Sequence, residues 1–487
     1  MKVFQIIGTA LLASVLGASI ARAQPNWVSV TPAPQAVGPM LQLRDGRILA
    51  HSDQGGNANS WYILTPDSTG HYETGTWGGP YNMQSGYSPF FFSSVVMLDG
   101  KTILIEGGEY NNGINDYTVL GSLGTLTPFG GLTWVANAPP TGWNLIGDAQ
   151  NVLLANGHYL QANVGPQTAY YNGPNSWTAG PSVLMQGNSE AGYTALPNGD
   201  VLMVDNKVNP TCGASDKSTE YLHNGTWVCG PQTTVKLWLG AELGSAVLFY
   251  PNANHPQGGV FQFGGSVTAT NVLDIASFTW SSGPNPAPYV QPDGPGALEP
   301  NGLVLEQVAL GVNAPGCQFT EYDPVANTLT NTVNNAYCPR DDSFEGHLMI
   351  FPTGQIGSVD FDTTIYLYNP KPGVVSGVAP TIIPVKLVYL GGSKNNILYG
   401  IQLNGLSENN AYGDDYQSAT NYPLIRFTNS SGQVYYGFTH DDSTHSIAPG
   451  TISYTKFDIN PATPPGTYMM QVVTNGIGSN QVQVKIR

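Results

Sequence analysis

Apolar runs in this chain are short, and a tight turn ending in glycine interrupts them at regular intervals. The phrase appears as Met40-Leu-Gln-Leu-Arg-Asp-Gly46-Arg-Ile-Leu and returns as Val95-Val-Met-Leu-Asp-Gly100-Lys-Thr-Ile-Leu. Further copies end in Gly157, Gly199, Gly302 and Gly354. Asp-Gly and Asn-Gly between apolar runs signal hairpins, because such turns require positive φ. Between Gly199 and Gly302 there is room for one more copy. It reads Ser245-Ala-Val-Leu-Phe, a longer loop from Pro251 to Gly259, and then Val260-Phe-Gln-Phe-Gly-Gly265. Neighbouring turns are 42 residues apart from Gly157 to Gly199 and 57 apart from Gly100 to Gly157. Seven copies at such spacings predict four-stranded propeller blades.

Tryptophan gives a second signal. Trp77, Trp134, Trp177, Trp227 and Trp280 each stand near the end of a unit, with Gly or Pro close behind. The seventh unit lacks one, but the N-terminus supplies Trp27. A ring of sheets must close, since open edges invite mispairing. Residues 26–31 are therefore expected to complete the last blade, with the tryptophans packing between blades. After Tyr368 comes a Pro- and Gly-rich stretch, and from about Ile383 the rhythm changes to short alternating strands. Seven of these are expected, from Val385–Tyr389 through Asn396–Leu403 to Gln481–Ile486, the count of an immunoglobulin-like sandwich. The expected organisation is all-β. It comprises a signal peptide over 1–23, a seven-bladed propeller over 24–370, a linker over 371–382 and an immunoglobulin-like sandwich over 383–487.

Composition agrees with this reading. Charged residues make up 10% of the chain, against roughly 25% in an average globular protein. With 59 Gly and 37 Pro, the chain is rich in turns. It is poor in residues that favour long helices. The 16 basic and 32 acidic residues give a net charge of −16, which would repel phosphate backbones and makes nucleic acid a poor partner. Lys2, the apolar stretch Ile6–Ile20 and Ala21-Arg22-Ala23 read as a cleavable signal peptide. No later segment is apolar for long enough to span a membrane. Export suits the four cysteines. Cys212 and Cys229 form one near pair, Cys317 and Cys338 the other, and each would close a surface loop. The two other connectivities would link distant segments.

A kelch-type propeller followed by an immunoglobulin-like (E-set) tail resembles the galactose oxidase-like group of secreted proteins. Kelch double glycines stand at Gly107-Gly108 and Gly264-Gly265. The tail from Asn404-Gly-Leu through Tyr412-Gly-Asp-Asp-Tyr to Arg426 resembles that of uncharacterised bacterial secreted kelch proteins. The copper oxidases of the group carry a Tyr-His pair in the last blade, a Tyr and a crosslinking Cys in early blades, and a His from the tail. Here the last-blade positions hold Phe344 and Glu345, and the early ones hold Phe91 and Asp148. Only His440 in the tail has a counterpart. Copper is held well by imidazole or thiolate, so the resemblance does not imply copper here.

Carboxylates stand at these positions instead. Counting back nine residues from the turn glycines reaches Asp148, Glu190, Asp293 and Glu345, and Glu242 has the same offset in the fifth unit. These five are expected to begin the innermost strands and to ring one mouth of the central channel, on the side of the loop carrying His440. Arg340 and a hard cation such as Ca²⁺ would neutralise them. The expected function is extracellular binding of a glycan or a cell-surface protein at this acidic mouth. The alternative is a polysaccharide-acting enzyme using acid–base chemistry at Glu345, Asp148 and His440.

Overall fold

The computed structural model describes residues 26–52, 58–213, 215–240, 243–384, 386–412 and 419–487. The expected signal peptide and Glu242 lie outside the described residues. Those described contain no helix. They form many small antiparallel sheets, consistent with a β-propeller.

Six of these sheets carry four strands built in one order, and a seventh has the same four with Asn410–Ala411 added at its edge. In the first, Val37–Gln42 pairs with Ile48–Ser52, then Ser60–Thr65, then Thr76–Asn82. The tight Asp-Gly or Asn-Gly turn joins the first strand to the second in most of the sheets, with Gly46, Gly100, Gly157, Gly199 and Gly302 all at positive φ. In the fifth sheet, Ala246–Phe249 and Gly259–Phe263 flank the longer connection. The seventh sheet has His347–Ile350, Ile356–Val359 and Tyr366–Tyr368 from the end of the series, and its fourth strand is Trp27–Ser29.

The first strands are buried and touch one another in series. They are Val37–Gln42, Ser93–Val96, Asn151–Leu153, Tyr193–Ala195, Ala246–Phe249, Gly296–Leu298 and His347–Ile350, and the last returns to the first. The core lies between the faces of consecutive sheets. Leu41, Leu49, Trp61 and Ile63 of the first sheet pack on Val96, Ile103, Ile105 and Leu132 of the second. Apolar strands buried on both faces need no alternating pattern. Three tryptophans of the outer strands tie their sheets to the ones before. Trp27 donates its indole N–H to Val333 O, Trp77 to Thr31 O and Trp177 to Ala138 O.

Polar side chains at one equivalent position clasp the sheets deeper in. Gln161, Gln262 and Glu306 all stand on second strands. Gln161 Nε2 bonds Ser93 Oγ (2.9 Å) and Ala162 O (2.9 Å). Gln262 Nε2 bonds Gly244 O (2.7 Å), and Glu306 accepts from Ser245 Oγ and Gln291 Nε2, each at 2.7 Å. Cys212–Cys229 and Cys317–Cys338 are both bonded, so the near pairs form.

Strands between Thr381 and Ile486 form a further sheet. Its strands run Thr381–Ile383, Asn396–Ile401, Ile452–Asp458, Val434–His440, Leu424–Asn429, Gly466–Thr474 and Val482–Ile486, with Val388–Tyr389 parallel to the last. Thr381–Ile383 begins inside the stretch expected to be linker. Leu398 and Phe457 from one end share a core with Met470 and Val484 from the other, so the sheet folds over itself.

This C-terminal unit covers one end of the ring. Tyr436 lies against Gly46, and Thr439 O against Gly100. Arg44 and Asp442 form a buried ion pair at 2.5 Å, and His445 N donates to Ala155 O. All these ring positions belong to the tight turns. From the same unit the segment 404–412 enters the ring along its inner strands. Ser407 Oγ donates to Leu248 O, Glu408 accepts from Ala195 N, and Asn409 Nδ2 donates to Leu298 O. Asn410–Ala411 pairs with Gly296–Leu298, and Asn410 Oδ1 accepts from Ile350 N. At the far end Tyr412 donates its hydroxyl to Phe344 O.

Candidate functional site

At the end away from the turns, a cavity of about 240 Å³ opens among loops of several sheets. Phe91, Glu109, Tyr110, Glu190, Pro292, Asp293, Val312, Asn313, Phe344 and Tyr412 line it. Three of these, Phe91, Glu190 and Asp293, stand nine residues before a turn glycine. All three have left-handed backbone, with φ of 50°, 63° and 45°. That conformation is costly for a residue with Cβ, so surrounding contacts must hold it. Two such contacts are Asp293 N to Leu243 O and Glu109 N to Phe91 O.

The carboxylates do not begin strands. Asp148, Glu190, Asp293 and Glu345 precede strands that start at Asn151, Tyr193, Gly296 and His347. Loop backbone, rather than strand alternation, therefore decides where they point. It brings Asp148 and Glu190 together, because Ala149 bridges Ser189 of the next sheet. Ser189 Oγ reaches Asp148 Oδ2 at 3.5 Å. Burial pushes the Asp148 carboxyl up to about 6, against the pull of Ser189, Lys207 and Glu190. Tyr117 is held above its usual value by burial and by the charges of Asp148, Glu109 and Glu190.

Glu345 belongs to a different group. Its neighbour Phe344 faces the cavity, while Glu345 Oε2 accepts from Asp342 N in its own loop. One oxygen each from Asp341, Glu345 and Asp360 lie within 4.8 Å of one another. Burial, followed by the charges of Asp341, Glu345 and Asp342, pushes Asp360 up to about 9. Burial and Glu345 push Asp342 up to about 7.

His440 is not at the mouth. It ends the strand Val434–His440, with Nδ1 3.1 Å from Asp441 and Nε2 3.3 Å from Asp458. Asp441 N donates to Leu98 O beside a tight turn, which puts His440 on the covered end. The expectation that it shares a side with the acids is corrected: the element that reaches them is 404–412, and it carries no histidine. Its signal in the sequence was the tail phrase beginning Asn404-Gly-Leu. Its course could not be read there, because it depends on bonds to four different sheets.

Among the described residues the cavity lining has neither histidine nor cysteine. His347 lies beneath it, fully buried, its Nδ1 facing Glu345 O and its ring stacked on Tyr412. Burial lowers His347 to about 3. The oxygen donors and aromatic rings of the lining suit hydroxyl or cationic ligands and fit copper poorly. Apolar side chains stand exposed on loops at the same end, among them Leu145, Val208, Leu239, Leu310 and Val312.

No family model and no curated protein sequence matches this chain. Solved structures do. A fungal alcohol oxidase of the AA5 family, solved in complex with copper, aligns over 94% of this chain and 98% of its own, at 14% identity and a TM-score of 0.52. The extracellular domain of a candidate one-component system from B. thetaiotaomicron covers 84% of this chain and 47% of its own, at 10% identity and a TM-score of 0.47. At these identities the first likeness shows the fold alone, an all-β architecture shared with that oxidase.

Proposed function

We propose that this is a secreted binding protein of the galactose oxidase-like type, a seven-bladed kelch propeller with an immunoglobulin-like tail, which takes a glycan at its acidic mouth. The carrying observation is the mouth cavity, where Glu109, Glu190 and Asp293 face Phe91, Tyr110, Phe344 and Tyr412. Carboxylates accept hydrogen bonds from sugar hydroxyls, and aromatic rings pack on the apolar faces of sugar rings. The two disulfides suit an oxidising, extracellular compartment. A protein partner on a cell surface would meet the same cavity and its apolar rim.

A second reading, acid–base chemistry on a polysaccharide, draws on one observation. Asp148, raised to about 6, stands beside Glu190, and a carboxyl that keeps its proton towards neutral pH is what a general acid requires. Copper is not expected, because Phe344 and Glu345 stand where a Tyr-His pair would be required. A glycan array with the purified protein tests the first reading, with Glu190→Gln/Asp293→Asn as control. Binding that the double variant loses supports it, and a blank array sinks it. Release of reducing ends from a bound polysaccharide, abolished in Asp148→Asn, would favour the second.

A further inference from the structure

We infer that Asp341, Glu345 and Asp360 form a binding site for a hard divalent cation of the Ca²⁺ type, built into the loops beside the mouth. Asp341 and Glu345 lie in the loop before His347–Ile350, and Asp360 directly follows Ile356–Val359. These strands pair with each other, so the two loops are held side by side. The three offered oxygens lie within 4.8 Å of one another. Ligands on a sphere of about 2.4 Å radius, the usual Ca²⁺–oxygen distance, are at most twice that radius apart.

An independent observation points the same way. Asp360 is only 5% exposed, and its Oδ2 has no hydrogen-bond partner. Asp342, equally buried beside Glu345, has an unpartnered Oδ1. A buried carboxylate oxygen without a donor is costly, and a cation removes the cost. The basic group nearby does not suffice. Arg340 is largely exposed and is divided between Asp341 at 3.5 Å and Asp362 at 3.2 Å.

The frame beneath the site is rigid. Cys317 is disulfide-bonded to Cys338, and Gly316 N and Cys317 N both donate to Asp341 O. A preorganised frame lowers the ordering cost of binding. Hard cations of this kind fill their remaining positions with carbonyls or water. The site is separate from the mouth cavity, so it stands whether or not that cavity takes a glycan.

The test uses the full chain stripped with a chelator and dialysed. Thermal unfolding is followed with CaCl₂, MgCl₂ or MnCl₂ at millimolar levels, and Tb³⁺ luminescence is excited through tyrosine. The expected result is a rise of a few degrees in Tm with Ca²⁺, because the ion binds only the folded arrangement. Saturable Tb³⁺ emission displaced by Ca²⁺ is expected alongside it. Asp360→Asn should weaken Tb³⁺ binding at least tenfold. If that variant does not fold, the less buried Asp341→Asn takes its place. Glu190→Gln should leave the ion effect intact. The proposal is overturned if neither the Tm shift nor the emission appears. It is equally overturned if both survive unchanged in the Asp341 and Asp360 variants, or vanish in Glu190→Gln.

Discussion

The two ends of the ring are built from the same repeat and treated in opposite ways. At one end the first two strands of each sheet but the fifth are joined by a short turn, and the C-terminal unit covers the turns at Gly46 and Ala155 with Tyr436, Asp442 and His445. At the other end the loops are longer, carry left-handed non-glycine residues at Phe91, Glu190 and Asp293, and leave carboxylates and apolar side chains to solvent. Packing contacts at the covered end contribute to stability, whereas the acidic loops of the open end suit recognition. The segment 404–412 links the two. It is anchored along the inner strands and delivers Tyr412 to the mouth.

The sharpest way to break this contrast is at Arg44. Its partner Asp442 is buried with it, and the guanidinium also lies over the Tyr422 ring at 4.1 Å. Arg44→Ala should cost about 3–5 kcal/mol in denaturant unfolding, because an uncompensated charge stays buried. A cost under 1 kcal/mol would mean that the covered end is not a stabilising interface.

Glu408, inside the ring, gives the next effect. Burial pushes it up to about 7 from 4.5, against the Ala195 N–H. The folded state therefore holds this proton more tightly than the unfolded state. Stability from this group is greatest below pH 4.5 and falls as the pH rises to about 7. Glu408→Gln should remove that decline, on the order of 3 kcal/mol by pH 8, while matching the parent at pH 4. Glu299 and Glu306, each raised to about 8 mainly by burial, leave a residual slope in both proteins. Equal pH profiles for parent and variant would show that water reaches Glu408.

A glycine pair sharpens the comparison further. Gly46 and Gly86 have φ of +78° and +86°, but a Cβ on Gly46 would lie 2.7 Å from the Tyr436 ring, while Gly86 has open space around it. Gly86→Ala should cost about 1–2 kcal/mol from backbone alone, and Gly46→Ala about 1–3 kcal/mol more from overpacking. Equal losses would remove Tyr436 from the interface. The smallest stability effect belongs to the mouth. Glu190→Gln and Asp293→Asn should each change stability by about 0.5 kcal/mol or less while weakening ligand binding.

Much of the ring could be read from the chain because its signals are local. Asp-Gly and Asn-Gly turns such as Asp45-Gly46 and Asn301-Gly302 carry their own backbone demands, and Trp27 stands where the last sheet needs its fourth strand. The offset from the turn also reached Glu190 and Asp293, which share the cavity. The count also reached Glu345, but Phe344, one residue earlier, takes the inward place. Asp360 could not be grouped with Asp341 and Glu345, since two strands separate it from them. Gln161, Gln262 and Glu306 gave no sign as clasps, because a lone polar residue on a buried strand shows its purpose only once its neighbours are present. His440 was misplaced for the same reason: which tail segment enters a ring is settled by contacts hundreds of residues apart.

Hydrogen–deuterium exchange with the tightest-binding glycan from the array tests the central contrast most directly. Amides of the mouth segments 88–92, 188–191 and 290–294 should slow on binding, while those at the turns 44–47 and 98–100 stay protected with or without ligand. Protection that appears at the turns and leaves the mouth segments unchanged would contradict the account.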